Sequence, residues 1–217
     1  MIEENIQVLR QAAKFTSNKD ENIWCVIAAP YDFIDDIAYR AISSNGRVEI
    51  LFREHVILNE GNLNKKFDFI MLKGLSSTIR YYKLLASQNG ASFIQVTPSY
   101  IKEKPNLMVL VAPDNIIRKS IALLGEFKTD MSILMESQSS RSVEVEVNPS
   151  SVIPEIMRTK LNSLVNVSDI SILTLLISVE EADVDKVQSV VTSNRIFVID
   201  FKDIEMEENL WVFLETK

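Results

Sequence analysis

The hydrophobic pattern near the start of the chain predicts a buried strand that leads directly into an amphipathic helix. Residues 23–29 are almost wholly apolar, which is typical of a strand covered on both faces. Pro30 cannot donate a hydrogen bond to a neighbouring strand, so we expect the strand to end there. Apolar residues then recur at helical spacing over residues 33–42, and Asn45-Gly46 predicts the end of that helix.

Strands and helices are predicted to alternate in this way up to residue 128. Apolar runs at residues 47–58, 67–72, 92–96 and 107–111 predict four further strands, and residues 75–86 and 115–124 carry helical stripes. This alternation predicts an α/β fold with a mainly parallel sheet and helices on both faces, a Rossmann-like or flavodoxin-like three-layer domain over residues 1–128.

The pattern of strand, Ala-Pro, acid and helix occurs twice, at residues 23–42 and again at residues 107–120. Similar turns favour similar residues, because proline ends a strand and an acid suits a helix start. We therefore interpret this similarity as shared turn chemistry and not as a duplication.

The second part of the chain has a different pattern after a polar, serine-rich stretch at residues 136–141. Residues 142–217 are predicted to form a smaller C-terminal α/β unit that either continues the first sheet or packs against it. Strands are predicted at residues 143–147, 169–179, 195–201 and 210–214, with helices at residues 153–164 and 182–191. A further helix is predicted at residues 2–13.

Composition narrows the classes of function. The 217 residues carry a net charge of -7, which argues against general binding of nucleic-acid backbones. The single cysteine, Cys25, excludes an intramolecular disulfide and a CxxC metal site, and we expect it to be a buried, inert thiol. No signal peptide or membrane-spanning run is evident, so a cytoplasmic protein is expected. No cofactor or metal is predicted.

The candidate site follows from the expected parallel sheet, since ligands bind beyond the carboxyl ends of parallel strands. The residues at those ends that carry suitable side chains are Tyr31, Asp32, Lys73, Ser76, Ser77, Thr97 and Asp114. Lys73 beside Ser76 and Ser77 at a helix start would suit an anion, although a strand-end lysine and an ordinary helix cap explain the same residues. His55, the only histidine, is interpreted as a partly buried structural imidazole.

Glycine-rich phosphate loops are absent from the chain, which has five glycines. The first turn, at residues 28–33, carries Pro30 and Asp32, and neither suits a phosphate. This argues against classical dinucleotide binding and P-loop hydrolysis.

Residues 66–74 (KFDFIMLKG) and 76–98 (SSTIRYYKLLASQNGASFIQVTP) resemble the small α/β domain that precedes the catalytic module of ATP-grasp ligases. The same part of the chain is also similar to a degenerate methyltransferase sheet. These resemblances imply a degenerate site for a nucleotide or S-adenosylmethionine. The glycine-rich lid and metal-binding carboxylates of an ATP-grasp enzyme do not follow after residue 128.

Three functional hypotheses result. The first is a non-catalytic binding or regulatory protein, with a protein partner or a small-molecule regulator. The second is a transferase or ligase that uses Lys73 and Ser76, with Asp32 and Asp114 orienting a substrate or a metal. The third, compatible with the first, is a homodimer in which the strands at residues 143–147 and 210–214 pair across a two-fold axis.

Overall fold

The computed structural model describes residues 21–29, 31–60, 63–104, 106–139, 144–147 and 171–202. The first unit consists of β1 (Asn22–Ala29), α1 (Tyr31–Ile42), β2 (Val48–Glu60), β3 (Leu63–Leu75), α2 (Ser76–Gln88) and β4 (Ser92–Val96). Its strands form a sheet in the order β2-β3-β1-β4. A short helix, α3 (Pro98–Glu103), leads to the second unit.

The second unit repeats this succession of elements, with one additional strand between its second and third sheet strands along the chain. It consists of β5 (Leu107–Pro113), α4 (Asp114–Glu126), β6 (Met131–Gln138), β7 (Glu144–Val147), β8 (Ile172–Val179), a 3-10 turn (Glu181–Asp183), α5 (Val184–Ser193) and β9 (Phe197–Asp200). The second sheet has the order β6-β8-β5-β9, while β7 pairs with β3 of the first sheet.

All the strand pairs that the structure describes are antiparallel, so the predicted parallel, Rossmann-like sheet is wrong. β2 and β3 are separated by residues 61–62 alone and form a hairpin, because parallel neighbours need a long crossover. β3 then lies between β1 and β2, which run in the same direction without touching. Each unit is a ferredoxin-like (ACT-like) βαββαβ arrangement of the α+β class.

The two sheets pack face to face, with helices on the two outer faces. One core between the sheets contains Trp24, Val26 and Phe69 from the first unit and Val109 and Leu176 from the second. Separate outer cores lie under α1 and α2 and under α4 and α5. Both faces of each sheet are therefore covered, which explains why these antiparallel strands have the continuous apolar sequences of parallel ones.

The similarity between residues 23–42 and 107–120 extends over nearly the whole unit. Residues of β1, α1 and β2 match those of β5, α4 and β6 at a constant offset of 83, as from Ala29 to Ala112. Residues of β3, α2 and β4 match those of β8, α5 and β9 at an offset of 105, as from Asp68 to Leu173. Our interpretation as turn chemistry alone is corrected, because the strand pairing follows the same register in both units.

Even an irregularity of the sheet is repeated. The pairing of β2 with β3 shifts register between Ile50 and Phe52, and that of β6 with β8 shifts at the matching positions, Ile133 and Met135. Such bulges insert one extra residue and turn the following side chains to the other face. The residues of one unit therefore have defined counterparts in the other.

Several predictions fall outside the described residues, namely the helices at residues 2–13 and 153–164 and the strand at residues 210–214. The chain passes from the first sheet to the second between β4 and β5. The division into domains at residues 128 and 142 stays a prediction. In the described part of the chain, no helix combines the length and the apolar character that a membrane span requires.

Candidate functional site

The predicted site residues lie at two opposite ends of the first sheet and in the second unit. Tyr31 and Asp32 begin α1, beyond the end of β1. Lys73 pairs with Trp24 near the start of β1, and Ser76 and Ser77 follow at the start of α2. At about 3.3 Å per residue, the length of β1 separates these two ends by roughly 20 Å. Because the sheet is antiparallel, these residues do not form one cluster.

Local contacts already engage several of these side chains. Lys73 Nζ lies 5.5 Å from the centre of the Trp24 ring, a cation–π arrangement. Thr97 Oγ1 and Ser99 Oγ are hydrogen bonded at 2.8 Å. Asp114, in the second unit, accepts a hydrogen bond of 2.7 Å from Arg118 Nε.

A cluster of charged side chains at Asp68 was not predicted from the sequence. Asp68 is on β3 and is fully buried. Its Oδ2 accepts a hydrogen bond of 2.7 Å from Arg53 Nη2, and its Oδ1 lies 2.5 Å from His55 Nδ1. Arg53 also contacts Asp35 of α1 through Nη1. We call Asp35, Arg53, His55 and Asp68 the ionic cluster.

The bulge in β2 helps to form the ionic cluster. Beyond it, Arg53 and His55 lie two residues apart on one face of the strand, and His55 is directly opposite Asp68 in the register. Burial lowers the pKa of the Arg53 guanidinium, but its hydrogen bonds to Asp68 and Asp35 outweigh this effect and raise the pKa above its usual value. Arg53 is therefore a permanent cation that compensates the buried charge.

The second unit shows that the fold does not need this cluster. Leu173 is at the position of Asp68, and Gln138 is at the position of His55. Replacing a buried ion pair by apolar residues is often neutral or stabilising. The stability of the fold therefore does not account for Asp68 and His55.

The pair of Asp35 and Arg53 has a counterpart with the charges exchanged. Arg118 of α4 and Glu136 of β6 occupy the matching positions and are 2.8 Å apart. A helix-to-strand ion pair is thus common to both units, whereas the buried carboxylate and the imidazole distinguish the first.

A cavity of about 650 Å³ lies beside the ionic cluster, between β2 of the first unit and β9 of the second. We call it the seam cavity. Its described lining consists of His55, Val56 and Ile57 from β2, Thr192 from the end of α5, Arg195 and Ile196 from the turn after α5, and Phe197 and Val198 from β9. Its volume is within the range of ligand pockets. His55 belongs both to the ionic cluster and to this lining.

Arg195, like His55, lines the seam cavity and has a chemically different counterpart in the other unit. It has a φ of 57° and follows the C-terminus of α5, where the Ile196 N–H donates to the Val191 carbonyl. The matching residue after α2 is Gly90, with a φ of 64°. Glycine is the usual residue in this left-handed conformation, so an arginine here costs conformational energy. Among the residues that the structure describes, no ion-pair partner engages the Arg195 guanidinium.

Other non-glycine residues outside the seam cavity also have a left-handed backbone conformation. Lys128 follows α4 with a φ of 51° and lies outside the cavity lining. Lys128 is therefore a control for the conformational cost at Arg195.

A smaller cavity of about 250 Å³ lies at the opposite seam, where β4 of the first sheet meets β6 of the second. Thr97, one of the predicted site residues, is part of its lining, together with Lys83, Phe93, Gln95, Tyr100 and Met135. The role of Thr97 in ligand binding stays a prediction.

The sequence contained a sign of the ionic cluster. Asp68 is the only charged residue in the apolar run at residues 67–72, FDFIML. An acid in a strand covered on both faces needs a buried cationic or hydrogen-bonding partner. The partners themselves, and the whole seam cavity, depend on how the two units pack.

In the described part of the chain, no group of three or more histidine, cysteine, aspartate and glutamate side chains is arranged to hold a metal ion. No family model matches the chain, and no curated protein matches it. Among solved structures, one similar chain is an unknown protein from Galdieria sulphuraria, with a TM-score of 0.30 and 10% identity over 83% of this chain and 96% of that one. Another has the provisional assignment of glycine cleavage system transcriptional repressor, with a TM-score of 0.26 and 9% identity over 82% of this chain and 95% of that one. At these values, neither likeness bears on the function of this chain.

Proposed function

We propose that the protein is a non-catalytic regulatory protein that binds a small carboxylate-bearing molecule in the seam cavity. The observation that carries this proposal is that two of the differences between the units meet at one cavity. His55 contacts the buried Asp68, whereas the second unit has a glutamine and a leucine at the two matching positions. Arg195 has a left-handed backbone conformation, and the first unit has a glycine at the matching position. Costly features tend to be retained where they serve function.

The lining favours an anion with an apolar part. Arg195 supplies a permanent cation with a forked geometry that suits a carboxylate. Val56, Ile196 and Phe197 supply apolar walls, and no acid is among the described lining residues. The ligand class is therefore a small monocarboxylate with an aliphatic or aromatic tail.

The position of the cavity favours regulation over catalysis. Its lining comes from β2 of the first unit and from β9 and the end of α5 of the second, so a bound molecule contacts both units at once. A ligand that binds one arrangement of the units better than another shifts the population toward it. The bound molecule would thereby change the surfaces that the two units present to a partner protein.

The test is a thermal-shift and calorimetric titration with monocarboxylates from butyrate to 3-phenylpropionate and with their amides. We expect acids to raise the melting temperature and amides to have no effect, since saturation at about 100 times Kd adds roughly 2.7 kcal/mol. Arg195→Gly should abolish the shift, although it relieves roughly 1 kcal/mol of backbone strain.

Lys128→Gly is the matched control, because it relieves the same kind of strain away from the seam cavity and should leave binding intact. Equal binding of acids and amides would exclude an anion site. Undiminished binding by Arg195→Gly would exclude the seam cavity as the site.

A further inference from the structure

The outer helical face of the first unit exposes four large apolar side chains. Tyr39 and Ile42 of α1 are 71% and 74% exposed, and Tyr81 and Leu84 of α2 are 43% and 58% exposed. Arg40 Nη1 donates a hydrogen bond of 2.9 Å to Tyr81 Oη, so the two helices are neighbours at this point. We call Tyr39, Ile42, Tyr81 and Leu84 the outer patch.

The second unit again serves as an internal comparison. The residues at the four matching positions are all exposed, and they are Ala122, Gly125, Lys186 and Ser189. The same fold therefore forms without large apolar groups on this face. Clustered apolar side chains that folding does not require mark an interaction surface.

Charge indicates what covers the outer patch. α1 exposes the acids Asp32, Asp35 and Asp36 and the single base Arg40, so it has an excess of acid even though Arg40 pairs with Asp36 and Arg53 of β2 pairs with Asp35. In contrast, α2 exposes Arg80 and Lys83 and carries no acid. In a two-fold arrangement the same patch is used by both copies, so α1 of one protomer can oppose α2 of its partner. Acids then face bases on both sides of the apolar centre.

We propose that the outer patch is the interface of a homodimer, in which a second copy of this chain packs α1 against α2 across a two-fold axis. This interface differs from the predicted pairing of residues 143–147, because Glu144–Val147 already pairs with β3 of the same chain. It is also independent of the seam cavity, whose described lining contains no residue of α1 or α2.

The first experiment measures the mass of the full chain by analytical ultracentrifugation. We expect the wild type to be a dimer and Tyr39→Ala/Tyr81→Lys/Leu84→Ser, which introduces the residues of the second unit, to be a monomer with unchanged far-UV circular dichroism. Phe127→Lys, at a residue that is 55% exposed in the second unit, is the control and should stay a dimer. A wild-type monomer at high concentration, or a triple variant that remains a dimer, would overturn the proposal.

A second experiment tests the opposition of α1 and α2 with two charge variants. Arg80→Glu/Lys83→Glu gives both helices a net negative charge, and Asp32→Lys/Asp36→Lys gives both a net positive charge, so each variant alone should be monomeric. An equimolar mixture should form a heterodimer, because acids then face bases at both contacts. Failure of the folded variants to associate in the mixture would overturn the two-fold arrangement.

Discussion

At the scale of single residues, Asp68 connects the sequence, the fold and the proposed site. Its carboxylate is fully buried and accepts hydrogen bonds from Arg53 and His55. The run FDFIML indicates a buried acid, but only the register of β2 with β3 brings His55 opposite to it. The burial of Asp68 could thus be predicted from the local sequence, whereas its partners Arg53 and His55 could not.

We predict that removing the charge of Asp68 alone is more harmful than exchanging the whole ionic cluster for its counterpart in the second unit. Asp68→Asn removes the buried counter-charge of Arg53, which keeps the exposed Asp35, and should lower the free energy of unfolding by about 2 kcal/mol. Asp35→Arg/Arg53→Glu/His55→Gln/Asp68→Leu introduces the four matching residues of the second unit, leaves no charge without its partner and should change that free energy by less than about 1 kcal/mol. Urea unfolding measures both, and the prediction is wrong if the quadruple variant is the less stable.

A second residue-scale prediction concerns Cys25, which is fully buried in β1. Burial raises the pKa of its thiol above the ordinary value of 9.0. Above about pH 9 the unfolded chain loses this proton while the folded chain keeps it. The free energy of unfolding is therefore unaffected by Cys25 below that pH and decreases as the pH rises above it.

The decrease should reach at most about 1.4 kcal/mol per pH unit, the value for one proton. Urea unfolding from about pH 8 to about pH 10 measures it, and Cys25→Ala is the control that should remove this contribution. The buried Tyr82 also has a raised pKa, which burial causes, but its ordinary value of 10.0 places its effect at higher pH. An equal slope in Cys25→Ala would contradict the assignment.

At the scale of elements, periodicity identified most strands and helices of the described chain. β1, α1, α2, β4 and β5 lie close to their predicted positions because each has a dense apolar stripe or run. The strand at residues 67–72 is longer than predicted, since β3 (Leu63–Leu75) includes the polar residues of a long hairpin with β2. Strand pairing can order polar segments that carry no hydrophobic pattern.

The predicted direction of the strands is wrong, and for this reason the predicted site residues do not lie together. Two apolar strands separated by a short polar connection without a helix should have predicted a hairpin. Lys73 and Asp32 would be neighbours if β1 and β3 were parallel. Because β1 and β3 are antiparallel, Lys73 near the end of β3 and Asp32 beyond the end of β1 lie at opposite ends of the sheet. The expectation of one rim of functional residues was therefore wrong for a geometric reason.

At the scale of the whole molecule, the core between the sheets joins the two units. Trp24 packs edge-on against Phe201, and Phe69 packs against Phe197, with ring centroids 6.3 Å and 5.4 Å apart. Buried Ser92 and Thr174, from different sheets, are hydrogen bonded at 2.7 Å. Separating the units would expose this shared core to water.

We therefore predict one cooperative unfolding transition for the whole chain. Differential scanning calorimetry should show a single peak in which the calorimetric and van't Hoff enthalpies agree. Val109→Ala, a change in the shared core, should lower the midpoint of that peak without dividing it. Two resolved peaks would mean that the units unfold independently.

The sequence by itself determined where most strands and helices form, because burial on two faces and helical stripes depend on neighbouring residues. It also contained one sign of the repeat, the Ala-Pro turns at residues 29–30 and 112–113, although shared turn chemistry was enough to explain these turns without a duplication. Only the tertiary structure decided the direction of the strands, the stacking of the sheets and the cavity between them. Those features depend on contacts between residues far apart in the chain, such as His55 with Asp68 and Phe69 with Phe197, and local patterns do not specify them.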